Sequence, residues 1–455
     1  MSSAPRSGFF NNDDLALMVD LYELAMAQAY WESGMDGDAT FSLFFRKRPD
    51  HRNIVLACGQ QHVCDVIRQL RFRDEHIERL RKLDMFRDDF LAWLRDFRFS
   101  GDVHALPEGT PVFPQEPLLE VQAPVAEAQI LESLVMNYVH LETVLASKAL
   151  RLVMAAGKRP VVDFGMRRMH GLDSAYRGTR AYRIAGLAGT SNVLAGQDFG
   201  LPVRGTMAHS FVQAHDDEMD AFRTYARLYP DTVLLVDTYD TVAAVKRITE
   251  WLREDKDARI SAIRLDSGDL AQLARDCRQV LDDAGFEDIK ILASSGLDEY
   301  SIAEMVADDV PIDGFGVGTA IGSAKDSPNL ELAYKLTEYG GQPRMKNSPG
   351  KQSYPAAKQV FRQSDAQGRV TGDVIAHRDE EAEGCPLLVR TLHQGEPVEG
   401  AIASLDDICD YAREAVERLP SDLRALDRDA DYPVRISDRL KQIQDDTLKQ
   451  VMPED

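Results

Sequence analysis

Between residues 159 and 319 the chain repeats one rhythm: a short apolar run, a polar tip, and most often a helical stretch before the next run. RPVVDFG, TVLLVDT, ISAIRLDSG, IKILASSG and IDGFGVGT read as strands, and 240–255, 269–286 and 298–310 carry helical spacing. The last four strands begin near 232, 260, 289 and 312, a repeat of 23 to 29 residues. Helical crossovers make successive strands parallel, so the alternation predicts a parallel sheet or a β/α barrel. In such folds the chemistry sits at the carboxyl ends of the strands. Here those ends carry Asp163, His209, Asp237, Arg264, Asp266, Ser294, Ser295, Gly316, Gly318 and Thr319. The competing reading is a set of unrelated polar loop residues, but each strand in turn obeys the pattern, which favours convergence on one mouth.

The flanks differ. Residues 13–33 read as an amphipathic helix through Leu17, Leu21, Leu24 and Met26, 39–45 as a strand, and the stretch to Phe97 as helices rich in Arg and Asp. Pro107, Pro111, Pro114, Pro117 and Pro124 forbid a long helix and predict edge strands or a crossing between domains. A mostly apolar helix follows over 126–150. Beyond 330, PRMKNSPGKQSYPAAKQVFR is loop-rich, short strands are expected near 369–376 and 386–392, and SDRLKQIQDDTLKQVM reads as a surface helix. At 455 residues one core is not enough. The expected division is an N-terminal α/β domain over 1–125, a barrel over 126–330, and a segment over 331–455 that packs back on the N-terminal domain.

Charge narrows the ligand. With 53 Lys and Arg against 75 Asp and Glu the net charge is −22, which argues against a nucleic-acid or anionic-membrane binder. An anionic substrate then needs a local basic pocket, and residues 163–183 carry five arginines against two aspartates. MSSAPRSGFFNNDD has no apolar leader and no run is long enough to span a membrane, so a soluble, cytoplasmic protein is expected. Cys58, Cys64, Cys277, Cys385 and Cys409 are scattered, as reduced thiols would be. Cys58, His62 and Cys64 invite a metal reading, but no second cluster with zinc-like spacing follows.

SSGLDE (294–299) and GFGVGT (314–319) are small-residue turns able to present backbone amides to phosphate. VDTYD and LDSGD repeat a pair of acids, Asp237 with Asp240 and Asp266 with Asp269, fit to hold Mg²⁺ or ribose hydroxyls. The ligand implied is a phosphorylated sugar. His209, in GTMAHS, is left open between core ring, general base, metal ligand and modified side chain.

DLYELAMAQAYW, FFRKRP, DFGMRR, GLAGTSNVLAG, GTMAHSF, LVDTYDT, IRLDSGDL, SSGLDEYSI and GFGVGT, in this order across residues 20–319, resemble the nicotinate phosphoribosyltransferase family. The resemblance implies a type II phosphoribosyltransferase-like fold, an irregular β/α barrel with an α/β N-terminal domain completed by the C-terminal segment. It implies nicotinate, phosphoribosyl pyrophosphate and ATP as substrates, Mg²⁺ as cofactor, and a phosphohistidine at His209 coupling ATP hydrolysis to transfer in NAD biosynthesis. Asp237 and Asp266 are then expected at the ribose or its Mg²⁺. Tyr22 and Phe164 are expected on the two faces of the pyridine ring, Tyr22 coming from the second subunit of a homodimer. Ser191, Thr206 and Arg264 are expected near nicotinate, and Arg167, Gly296, Gly318 and Thr319 at phosphate. The related nicotinamide enzyme has an aspartate where Ser191 aligns, an acid that would repel a carboxylate, so Ser191 favours nicotinate over nicotinamide. Ala25 replaces the hydroxyl residue usual after DLYEL, and YPAAKQVFR lacks the family's glycine, which leaves open whether Lys358 reaches the site. A phosphate-binding aldolase or isomerase barrel is the rival enzyme class, and it would need a lysine or carboxylate base at a strand end.

Overall fold

The computed structural model describes residues 12–348 and 353–452. Most of the opening segment read for a leader, and residues 349–352 of the loop-rich stretch, lie outside them. The chain forms two compact units, Leu145–Pro328, and Met1–Val144 together with Asn329–Asp455.

Leu145–Pro328 holds a six-stranded sheet in the order Gly189–Thr190, Val161–Asp163, Gly314–Val317, Lys290–Ser294, Ile260–Leu265 and Thr232–Leu235. Every pairing is parallel. The five strand-like runs all form strands, with the last four starting at 232, 260, 290 and 314. Gly189–Thr190 is a short addition at one edge, beside which Val203 makes a single parallel bridge. Among the described residues no ladder joins the two edges, so the irregular barrel is a curled, open sheet. Ile263, Leu265, Ile291, Ala293, Leu234 and Leu235 are fully buried within it.

The crossover helices Thr241–Glu254, Leu270–Asp283 and Glu299–Ala307 form because each carries an apolar stripe at three- and four-residue spacing and a side-chain cap at its start, a cap that Leu172–Ile184 lacks. Ala244, Val245, Ile248 and Leu252 are buried on Thr241–Glu254, and Ala274, Cys277 and Leu281 on Leu270–Asp283. Asp240 accepts from the amide of Ala243 at 2.9 Å, Asp269 from that of Gln272 at 3.0 Å, and Asp298 from those of Tyr300 and Ser301. The paired acids of VDTYD and LDSGD thus divide: Asp240 and Asp269 start helices, and only Asp237 and Asp266 remain for chemistry.

The other unit is built on a seven-stranded sheet ordered Gln342–Pro343, Leu332–Tyr339, Asp38–Phe45, Leu119–Pro124, Asp102–Ala105, Val389–His393 and Glu396–Pro397. Leu332–Tyr339 lies antiparallel to Asp38–Phe45, so the C-terminal segment completes the N-terminal sheet. Leu119–Pro124 is an interior strand, paired on both sides, where the prolines had pointed to an edge. The sequence places prolines only at its ends, Pro117 before it and Pro124 as its last residue, so none interrupts the ladder. The helix expected over 13–33 is a 3-10 turn, Asn12–Leu17, followed by Leu21–Glu32, and that over 126–150 is Val125–Ile130 followed by Glu132–Ala156. The two compact units divide inside this last helix, at 144/145.

Lys358 opens the strand Lys358–Ser364 and is buried, its Nζ 3.0 Å from Glu120 and 2.7 Å from the carbonyl oxygen of Ala356. Burial works against the charge of Glu120, but Lys358 and Arg378 hold its carboxyl below the usual range. Lys358 is therefore committed to a buried ion pair. Cys58, Cys64 and Cys277 are buried thiols outside any disulfide, and Cys58 and Cys64 face different partners, Glu142 and Thr391. Among the described residues no helix is long and apolar enough to cross a membrane.

The division of the acids is testable. Asp269→Ala removes one helix cap, and is expected to lower the unfolding free energy by about 1 kcal/mol in urea denaturation.

Candidate active site

The carboxyl ends of the six strands supply the groups in order along the sheet. Asp163, the tip of Val161–Asp163, is buried, and burial pushes its carboxyl above the usual range. Its Oδ1 accepts from the amide of Gly165 and its Oδ2 from the hydroxyl of Thr190, each at 2.7 Å. The carbonyl oxygen of Asp163 accepts from the amide of Ser191 at 2.8 Å. With both carboxylate oxygens occupied, Asp163 ties two strand ends together and sets the half-buried Ser191 beside them.

Phe164 follows, its amide donating to the carbonyl of Val317 at 2.8 Å. The ring rests over Gly316, where an added Cβ would stand 2.5 Å from Cε2. The glycine in GFGVGT at 316 therefore makes room for an aromatic ring. The guanidinium of Arg264 lies 5.9 Å from the centroid of Phe164, within reach of a cation–π contact. Arg264 donates to Thr206 Oγ1 and, at 3.4 Å, to the carbonyl of Met207. Its Nε is buried with no partner. Burial pulls its guanidinium below the usual range, with Asp266 and Asp237 opposing and Arg167 assisting. A planar cation beside an aromatic face is suited to a flat, anionic ring.

The five arginines of 163–183 do not act together. Arg177 pairs with Asp173 at 3.0 Å, Arg183 donates to the carbonyl of Phe199, and Arg180 is buried in the helix Leu172–Ile184. Arg167 and Arg168, on the turn Met166–Arg168, stay exposed. The basic pocket is Arg264 with this turn.

His209, Asp237 and Asp266 converge. Asp237 Oδ2 accepts from the amide of Asp266 at 2.9 Å and from the hydroxyl of Ser267 at 2.5 Å, while its Oδ1 is buried and unpartnered. Asp266 Oδ1 accepts from Ser294 Oγ at 2.6 Å, and its Oδ2 is 3.6 Å from His209 Nε2. His209 begins the short helix His209–Gln213, with Nδ1 3.1 Å from Thr238 Oγ1. The imidazole is part-exposed, at 38%, so it is no core ring. Thr238 was not singled out from the sequence although it lies inside LVDTYDT; nothing in its spacing separates it from a loop residue.

Ser295 and Gly296 both take positive φ, +81° and +65°, ahead of the helix Glu299–Ala307. Ser295 is strained there, and the side chain of Asp298, which caps that helix, fixes the turn from the far side. No atom lies within 4 Å of where a Cβ on Gly296 would stand, so its backbone is open to a ligand. Gly318 caps the short helix that starts at Thr319. Tyr22 belongs to the other unit, exposed on Leu21–Glu32, with its hydroxyl pushed up by burial and by Glu132 and Glu23.

A nicotinate phosphoribosyltransferase N-terminal domain model matches residues 17–140, and the nicotinate phosphoribosyltransferase family model matches 160–366. The chain belongs to the nicotinate phosphoribosyltransferase family. A nicotinate phosphoribosyltransferase of Mycobacterium tuberculosis is 49% identical over 427 residues, covering 93% of this chain and 92% of its own length. That of Bacillus subtilis is 34% identical over 461 residues, with 94% of each chain covered. The crystal structure of human nicotinic acid phosphoribosyltransferase superposes with a TM-score of 0.84 at 28% identity, covering 94% of this chain and 99% of that one. A nicotinate-nucleotide pyrophosphorylase from Pyrococcus furiosus gives 0.76 at 25% identity, covering 91% and 99%. The segments that carried the resemblance all lie inside the two matched ranges.

A methyl group added at position 316 would fall on the Phe164 ring. Gly316→Ala is expected to displace it and to raise the KM for the aromatic substrate about tenfold or more, with the KM for the phosphoribosyl donor changed less than about twofold in steady-state assays.

Proposed function

We propose that the chain transfers the phosphoribosyl group of phosphoribosyl pyrophosphate to nicotinate, and couples this step of NAD biosynthesis to ATP hydrolysis through a phosphorylated His209. The observation that carries this reading is the linked set His209, Asp266, Asp237 and Ser294: the last three stand at the carboxyl ends of neighbouring strands, and His209, at the start of its own short helix, is brought beside Asp266. The pyridine nitrogen of nicotinate forms a bond to the anomeric carbon as the bond from that carbon to the pyrophosphate oxygen breaks, its electron pair leaving with pyrophosphate. Positive charge grows on the sugar in between, and the carboxylates of Asp237 and Asp266 stabilise it.

Phe164 offers one face for the pyridine ring, and Arg264 a paired donor for its carboxylate, with Thr206 fixing the guanidinium. Ser191 leaves no acid to repel that carboxylate, which favours nicotinate over nicotinamide. The open amides at Gly296 and the Gly318–Thr319 turn suit the 5-phosphate, and Arg167 the pyrophosphate. In a homodimer, Tyr22 of the second subunit closes the ring from its other face.

Mg²⁺ fits Asp237 better than Asp266, because Oδ1 of Asp237 is a buried carboxylate oxygen without a partner while both oxygens of Asp266 face neighbours. Held there, Mg²⁺ would supply positive charge against the developing pyrophosphate. No lysine stands at the carboxyl end of a strand in this unit, which removes the Schiff-base form of the aldolase alternative.

Phosphorylation of His209 forms a nitrogen–phosphorus bond as the γ-phosphorus–oxygen bond of ATP breaks and ADP leaves; water later cleaves the phosphohistidine. Incubation with γ-labelled ATP should give acid-labile label that His209→Ala abolishes. Nicotinate should outperform nicotinamide and quinolinate as acceptor and respond to ATP. Label retained in the variant, or nicotinamide as the preferred acceptor, would overturn the corresponding part.

A further inference from the structure

His209 has a polar neighbour on each side. Nδ1 stands 3.1 Å from Thr238 Oγ1, and Nε2 stands 3.6 Å from Asp266 Oδ2. The carboxylate itself cannot swing freely. Its Oδ1 accepts from Ser294 Oγ at 2.6 Å, and the backbone amide of the same residue is bound to Asp237 Oδ2 at 2.9 Å. Ser294 is 3% exposed and ends the strand Lys290–Ser294, which pairs with Ile260–Leu265, the strand that leads directly into Asp266. Its hydroxyl also lies 3.3 Å from the carbonyl of Leu265, so the strand pairing fixes where the hydroxyl points.

These contacts select a tautomer. A carboxylate oxygen facing a ring nitrogen stabilises an N–H there and destabilises a lone pair. A hydroxyl donates or accepts equally well, so Thr238 imposes no choice of its own and donates to whichever lone pair it meets. The carboxylate, being charged, decides.

We propose that Ser294 is a positioning residue for the histidine: by holding Asp266 it keeps the ring proton of His209 on Nε2 and leaves Nδ1, beside Thr238, as the nitrogen that receives the phosphoryl group. The proposal rests on the reading of His209 as phosphoryl acceptor. In the step, the Nδ1 lone pair forms the bond to phosphorus while the γ-phosphorus–oxygen bond breaks and its electron pair leaves on ADP. The ring becomes cationic, its Nε2 proton stays beside Asp266, and the carboxylate offsets the charge. The Thr238 hydroxyl, displaced from the lone pair, donates to a phosphoryl oxygen.

The test uses the full-length protein labelled with ¹⁵N-histidine, the His209 signals being assigned by their loss in His209→Gln. Two-bond ¹⁵N–¹H couplings report the tautomer without any substrate, and ³¹P spectra after ATP report which nitrogen carries phosphate. Wild type is expected to show the proton on Nε2 and phosphate on Nδ1. Ser294→Ala, which frees the carboxylate, should mix the tautomers and slow self-labelling by γ-labelled ATP about tenfold or more. Should that variant fold poorly, Asp266→Asn removes the charge that makes the choice and should mix the tautomers likewise. A proton on Nδ1 in wild type, phosphate on Nε2, or a tautomer unmoved in folded Ser294→Ala, or in Asp266→Asn where Ser294→Ala does not fold, would overturn the proposal. Absence of label in wild type would instead reject His209 as acceptor, and the coupling spectra would still decide the role of Ser294.

Discussion

Parallel strands joined by helical crossovers all finish at one end of their sheet, and the contacts among Asp237, Asp266, Ser294, Phe164 and Gly316 follow from that constraint. Asp237 follows Thr232–Leu235 and Asp266 follows Ile260–Leu265, so the pairing of these strands places the amide of one residue on the carboxylate of the other. The next pairing sets Ser294 on Asp266. At the other end of the sheet Val161–Asp163 lies beside Gly314–Val317, and this brings the Phe164 ring onto Gly316. The carboxylates, Ser294 and the Phe164 ring are therefore distributed by register, while Thr206 and His209 are supplied by the irregular segment after Val203 and the short helix His209–Gln213.

Electrostatics sharpen the arrangement. The chain carries a net charge of −22, yet Arg264 is set among an aromatic ring, a threonine and a backbone carbonyl, with two carboxylates near enough to be felt. Desolvation weakens the guanidinium's hold on its charge, and an incoming carboxylate would restore what water no longer supplies. The same logic leaves one oxygen of Asp237 buried and without a partner, a state that persists in a folded protein mainly where a ligand or ion completes it.

Much of this was legible in the residues. The alternation between 159 and 319 located the strands, because a buried parallel strand is a short continuous apolar run and its crossover helix carries a different period. Asp237, Arg264 and Asp266 were legible as strand-end groups, whereas His209, expected among them, starts the short helix His209–Gln213 instead. What the one-dimensional pattern does not encode is direction. Asp240 and Asp237 sit three positions apart in one motif, and only the helix start separates a cap from a ligand. The arginines at 177, 180 and 183 look like a basic pocket until the helix Leu172–Ile184 turns them toward Asp173, the interior and the carbonyl of Phe199. Gly316 reads as a phosphate turn, whereas its missing side chain serves Phe164, more than 150 residues earlier in the chain. Lys358, placed in a loop by its prolines, is a strand residue because it opens the ladder with Val370–His377, and its cation there meets the buried Glu120.

The central claim is that one set of strand ends receives ring, ribose and phosphate together. The most direct measurement is a crystal structure of the protein with nicotinate mononucleotide bound. It should show the pyridine on Phe164 with its carboxylate on Arg264, the ribose at Asp237 and Asp266, and the phosphate against the amides at 296 and 318–319. A nucleotide seated elsewhere, or one that leaves Arg264 still turned onto Thr206 with no ligand contact, would contradict it.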